Sequence, residues 1–171
     1  MTTQIYVIRH AKAGARDRWT GPDELRPLTE GGWRQARGLV ETLAGRPLTR
    51  ILSSPYVRCV QTVEPLAEDR DLPVEAMPEL REGMAFDLVE KVALGASVDG
   101  PIALSVHGDA IRALVDDLRR RGVLNGNGDG DVRKGCTWIL DADRGSIVEA
   151  RYVPPPGNDE TPGDGRAQSS P

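Results

Sequence analysis

Two short apolar runs end abruptly at histidine, and this chain has no other histidines. His10 follows Ile5-Tyr6-Val7-Ile8 and one arginine, Arg9; His107 follows Ile102-Ala103-Leu104-Ser105-Val106 and precedes Gly108. Short runs of this kind, free of polar alternation, read as strands buried on both faces of a parallel sheet. Between them the pattern switches to helical spacing, so the chain alternates strand and helix. That alternation predicts an α/β three-layer sandwich, a mostly parallel sheet with helices on both faces. In such sheets ligands bind outside the carboxyl ends of the strands, which is where both histidines fall.

The coarse assignment is a strand at 4–8, a polar loop to Pro27, and a helix over 30–45 entered through Thr29 as N-cap. A strand follows at 50–53, with Ser54 as N-cap and Pro55 at the first position of a helix running to Glu68. Then come a strand at 74–76, a loop over 77–84, a helix at 86–95, a strand at 101–106 and a helix at 109–121. Strands at 135–141 and 146–152 form a hairpin. The reading is one domain over 1–153, with 154–171 a disordered tail rich in Pro, Gly and Ser. The Gly/Asn/Asp segment 122–131 lacks the ligand register and closing Glu of a calcium loop.

The bulk properties exclude several classes. A net charge of −4 argues against a general binder of nucleic-acid polymers or anionic membranes. No apolar stretch approaches the roughly 20 residues of a membrane span, and no signal-peptide pattern opens the chain. Cys59 and Cys136 form no zinc spacing. They read as reduced, partly buried thiols in a cytoplasmic protein, with a disulfide the lesser alternative. No metal or cofactor is implied.

Arginine beside the first histidine suggests an anion. A guanidinium fork matches phosphoryl oxygens bidentately, and a neutral imidazole nitrogen is a competent nucleophile toward phosphorus. Arg58 stands in a first helical turn, where the macrodipole disfavours a cation; an anionic partner would resolve that mismatch. Gly108 permits close approach of backbone to a ligand.

In this order the blocks resemble those of the histidine phosphatase, or phosphoglycerate-mutase-like, superfamily. Arg9-His10-Ala11 is similar to its Arg-His-Gly opening, with Ala for Gly. Leu28-Thr29 with Gly32, Gln35 and Ala36 resembles its second block, Ser53-Ser54 with Arg58, Gln61 and Thr62 its third, and His107-Gly108 its last. The resemblance spans about 4–152 and implies a phosphoglycerate-mutase-like fold. It implies that His10 is the nucleophile forming phosphohistidine, and that Arg9, Arg58 and His107 hold the phosphoryl oxygens. Glu82 is the best candidate for the general acid, and Glu79 the fallback. A narrower likeness is to compact SixA-type phosphohistidine phosphatases and to the phosphatase domain attached to actinobacterial MutT-type Nudix hydrolases. That likeness places Arg26 and Lys134 at the pocket rim, on a second phosphate or a polar group of the substrate. Trp19, Trp33 and Trp138 could stack on a base, although packing is the commoner fate of tryptophan. The expected activity is removal of a phosphoryl group from a small metabolite, nucleotide or phosphohistidine protein. The alternatives are a mutase and a phospholigand-binding regulatory protein without turnover. The short stretch between Arg58 and His107 favours hydrolysis. Substrate identity and oligomeric state stay open.

Overall fold

A computed structural model describes residues 1–124 and 132–157. Six strands form one sheet: β1 (Thr3–Arg9), β2 (Arg50–Ser53), β3 (Val74–Ala76), β4 (Ile102–Val106), β5 (Thr137–Asp143) and β6 (Ser146–Val153). Their order across the sheet is β3-β2-β4-β1-β5-β6. The first four are mutually parallel, and β5 joins the edge of β1 antiparallel, followed by β6. Four helices connect them: α1 (Glu30–Thr42), α2 (Val57–Arg70), α3 (Phe86–Ala96) and α4 (Gly108–Arg121).

The pleat explains the three layers. Along β1, Ile5 and Val7 face one side, Tyr6 and Ile8 the other. The first side meets α3 and α4 through Val89, Ala93, Ile111, Leu114, Val115 and Leu118. The second meets α1 and α2 through Leu39, Val63, Leu66 and Ala67. Strand β4 repeats the alternation, with Ile102, Leu104 and Val106 on the α3/α4 side and Ala103 on the other. Both faces are therefore dry, as the polar-free runs required. Trp138 lies in the α3/α4-side core, so it packs rather than stacks on a ligand. Trp33 is half-buried against Ala11, Leu28 and Ala36, and the exposed Trp19 donates its Nε1–H to the Pro22 carbonyl at 2.8 Å.

Thr29 caps α1, accepting from the Gly32 amide at 3.1 Å. Three features depart from expectation. Helix α1 ends at Thr42, short of 45. Helix α2 does not start behind Ser54-Pro55: Tyr56 is its N-cap and Val57 its first residue. Ser54 Oγ is bonded to the His107 ring at 2.8 Å and accepts from the Tyr56 amide at 3.3 Å, so it joins the sheet edge to the segment leading into the helix. Pro154–Gly157 continue the fold, with Pro156 beside Gly38 of α1; the rest of the expected tail, and residues 125–131 of the Gly/Asn/Asp segment, lie outside the described residues. Among the described residues no helix is long and apolar enough to cross a membrane.

The space beside Gly32 yields a direct test of packing. A Cβ there would stand 2.0 Å from the Lys12 carbonyl oxygen. Gly32→Ala should lower stability by roughly 1–3 kcal/mol, the range for overpacking, read from urea midpoints. An unchanged midpoint would mean that α1 and the segment after His10 are not locked together.

Candidate active site

The parallel register sets the site. Arg9 lies opposite Val106 in the β1–β4 ladder, and the His10 amide donates to the Val106 carbonyl at 3.0 Å. The Ser54 amide donates to the Ser105 carbonyl at 2.9 Å. Three strand ends thus finish side by side and deliver Arg9-His10, Ser54 and His107 to one edge, with Arg58 entering from the first turn of α2. The His10 and His107 rings stand edge to face, centroids 5.6 Å apart.

Both imidazoles are buried and neutral. His10 Nδ1 is 2.8 Å from the Ala11 carbonyl. A carbonyl only accepts, so Nδ1 carries the proton and Nε2 keeps its lone pair. Burial, with Arg58, His107 and Arg9 nearby, pushes the His10 pKa down to about 3, against the opposing pull of the Ala11 bond. Burial and then Arg58 lower His107 to about 4. His107 Nε2 meets Ser54 Oγ at 2.8 Å and Cys59 Sγ at 3.5 Å. Cys59 and Cys136 are free and buried, and burial raises the Cys59 thiol to about 12.

Arg58 is 0% exposed. Its Nη1 donates to the Asp23 carbonyl at 2.8 Å and its Nη2 to Asp23 Oδ2 at 3.0 Å and Glu82 Oε2 at 3.3 Å. The Arg9 guanidinium lies against Gly108, where a Cβ would come within 2.7 Å of Nη2; its Nη1 donates to the Val132 carbonyl. The Nε–H groups of Arg9 and Arg58 are buried without an acceptor among the described residues. Two charged donors left unmatched in a dry site are costly, and an oxyanion is the partner that would satisfy them.

The remaining motif residues hold this arrangement in place. Thr62 Oγ1 accepts from the Ala11 amide at 2.9 Å and donates to the Arg58 carbonyl at 2.7 Å. Gln35 accepts from the Lys12 amide at 2.9 Å and donates to the Lys134 carbonyl at 3.1 Å. Gln61 accepts from the Leu28 amide at 2.8 Å.

A cavity of about 280 Å³ opens beside His10, and Arg9, Arg26, Glu82 and Lys134 line it. Glu82 pairs with Arg16 at 3.2 Å as well as with Arg58. Glu79 is not among the lining residues, and its Oε2 is buried without a hydrogen-bond partner among the described residues. Sequence reasoning missed four residues here. Asp23 ties Arg58 to Arg26 (3.0 Å) and to Arg16 (3.5 Å); its place three residues before Arg26 was the available signal. Asp109 in the first turn of α4 and Arg112 just beyond it line the cavity, as their spacing after His107 would have indicated. Nothing in the sequence marked Arg16.

A neutral imidazole with a free Nε2, set among guanidinium donors in search of an anion, can bind a tetrahedral oxyanion and present a nucleophile to it. The family model of the Histidine phosphatase superfamily (branch 1) matches residues 5–92. The chain belongs to the histidine phosphatase superfamily. Among curated relatives it is similar to the 8-oxo-(d)GTP phosphatase of Mycolicibacterium smegmatis, 34% identical over 91% of this chain and 49% of that protein. It is also similar to phosphohistidine phosphatase SixA of Escherichia coli, 36% identical over 45% of this chain and 48% of that protein. The chain spans about half the length of these relatives. In fold it resembles the structure of the protein histidine phosphatase SixA complexed with tungstate, with a TM-score of 0.69 at 22% identity over 88% of this chain and 94% of that one. A SixA structure from Nakamurella multipartitia gives a TM-score of 0.68 at 22% identity over 91% and 97%. The mostly parallel α/β sandwich is thus the phosphoglycerate-mutase-like fold of the superfamily.

Histidines whose folded pKa lies below the unfolded value of about 6.5 take up protons on unfolding. Their contribution is complete above that value and is lost as pH falls through the window toward about 4 and about 3. Urea midpoints in phosphate-free buffer should drop between neutrality and about pH 5, and less steeply in His10→Gln. Equal slopes would show that His10 is not held neutral by burial.

Proposed function

We propose that this protein is a phosphohydrolase that passes the phosphoryl group of its substrate through phosphohistidine at His10. The observation that carries this reading is the His10 ring: Nδ1–H engaged by the Ala11 carbonyl, Nε2 unprotonated, and the ring neutral by burial. Nε2 attacks phosphorus, the bond from phosphorus to the leaving oxygen breaks, and a proton passes to that oxygen. Glu82 is the candidate donor. Water then attacks the same phosphorus, the N–P bond breaks, and the water's proton returns to the carboxylate. Arg9, Arg58 and His107 stabilise the equatorial oxygens in both steps. Asp23, Thr62 and Gln35 are positioning residues.

The substrate class is a phosphorylated metabolite, nucleotide or phosphohistidine protein. Relatives named as phosphatases support turnover over mere phospholigand binding, and hydrolysis over a mutase. Free, buried cysteines agree with a cytoplasmic setting. Since Arg9 and Arg58 supply positive charge, chelation should leave the rate unchanged; loss on chelation with recovery on adding one divalent ion would contradict the mechanism.

The decisive experiment is covalent labelling. An acid-labile, base-stable phosphate should appear on the wild-type protein and be absent from His10→Ala; label persisting in that variant would refute the assignment. Arg58→Ala should slow turnover by roughly 10²-fold or more, as expected for a charge-stabilising donor.

Glu82→Gln separates the acid role from a bystander role. A nitrophenolate leaves without a proton, whereas an alkoxide needs one. The substitution should therefore slow histidine phosphorylation by a sugar phosphate far more than the burst with an aryl phosphate. Equal, small effects would make Glu82 a mere partner of Arg58 and Arg16.

A further inference from the structure

The two neutral imidazoles have opposite kinds of partner. At His10 an acceptor, the Ala11 carbonyl, takes Nδ1. At His107 the close partner is a hydroxyl, and it takes Nε2: Ser54 Oγ stands 2.8 Å away. Both side chains are sealed from water, Ser54 at 0% and His107 at 1% exposure. His107 is the N-cap residue of α4, but its ring caps no amide there.

Hydrogen-bond accounting decides which of the two donates. Ser54 Oγ already accepts from the Tyr56 amide at 3.3 Å. Among the described residues its own hydrogen finds one nitrogen or oxygen acceptor, His107 Nε2. With a proton on Nε2, Ser54 Oγ would receive two donors, and its hydrogen would be left with the Cys59 sulfur, a weak acceptor. An unmade hydroxyl bond in a dry place is costly. With Nε2 bare, the hydroxyl donates to it and the conflict is gone. The Cys59 thiol, 3.5 Å from the same nitrogen, does not reverse this. Burial raises it to about 12, so it stays protonated and brings no charge. A neutral ring has one proton, which then sits on Nδ1. That nitrogen has only the Cys59 sulfur, at 3.9 Å, as a partner among the described residues. The sheet, meanwhile, sets the place of the hydroxyl. The Ser54 amide donates to the Ser105 carbonyl at 2.9 Å, one residue past the Ser53–Ser105 pair of the β2–β4 ladder.

We propose that Ser54 is a positioning residue for phosphoryl transfer: its hydroxyl donates to His107 Nε2 and so fixes the His107 proton on Nδ1, as a donor to a phosphoryl oxygen. The two histidines then share one tautomer for opposite ends. His10 presents a lone pair to phosphorus, and His107 presents a hydrogen to oxygen. The other tautomer of His107 would turn a lone pair toward the oxyanion. The proposal rests on the phosphohistidine reading of His10 and on the part given there to His107.

Nitrogen-15 spectra of the whole protein and single-turnover labelling of His10 by an aryl phosphate test it together. In the wild type the His107 ring should show Nδ1 protonated and Nε2 bare. In Ser54→Ala the proton should shift toward Nε2, and labelling should slow by roughly tenfold, short of the roughly 10²-fold or more that loss of a whole oxyanion donor costs. Ser105→Ala removes another buried hydroxyl, one bonded to the Cys59 carbonyl at 2.7 Å, and should leave the tautomer unchanged. In a His107→Ala background Ser54→Ala should cost nothing further, because it acts through that ring. Melting curves confirm that each variant is folded. A proton on Nε2 in the wild type would overturn the proposal without any variant. So would an unchanged tautomer in Ser54→Ala, the same shift in Ser105→Ala, or a rate loss repeated in full without the His107 ring. Label on His10 with His107 protonated on Nε2 would sink the role of Ser54 alone. Absence of label would sink the phosphohistidine reading, with the tautomer still read from the spectrum.

Discussion

A fully buried guanidinium is the constraint around which this molecule is organised. Arg58 has no exposed surface, and burying an unpaired charge costs several kcal/mol. Asp23 and Glu82 meet that charge, while its buried Nε has no acceptor among the described residues. Because Asp23 also binds Arg26 and Arg16, the long loop between β1 and α1 is drawn over the sheet edge by the same interaction. Burial, assisted by the nearby cations, keeps His10 and His107 neutral, the state that phosphoryl transfer to nitrogen requires.

Several residues of the sequence blocks turn out to be scaffolding around the candidate site. Thr62 bridges the segment after His10 to the backbone of Arg58. Gln35 does the same between Lys12 and Lys134. Gly108 is bare because the Arg9 guanidinium occupies the place of its side chain. These brackets hold the candidate cradle through protein contacts alone, and preorganisation of charge is where electrostatic catalysis draws its advantage.

The strand runs, the histidines at their ends and the placement of Arg58 were legible because period and polarity specify buried parallel strands, and topology does the rest. Arg26 and Lys134 were expected at the rim from the family likeness alone, and both line the cavity. What could not be read were contacts that depend on how an irregular loop folds back. Asp23 sits in a 3₁₀ turn whose approach to Arg58 has no periodic signature. Ser54 looked like a helix cap because Ser-Pro favours that role locally; its hydroxyl does accept from the Tyr56 amide, but it also holds the His107 ring, and the helix starts only at Val57. The hairpin β5–β6 was visible, with its turn at Arg144-Gly145, both at positive φ.

The central claim concerns one proton on one ring. With only two histidines in the chain, nitrogen-15 spectra of selectively labelled protein resolve each imidazole without ambiguity. The account predicts that His10, in phosphate-free buffer, is the neutral Nδ1–H tautomer at neutral pH and remains so at about pH 5, well below the ordinary histidine midpoint. Titration of His10 near that ordinary midpoint, or a proton resident on Nε2, would contradict it.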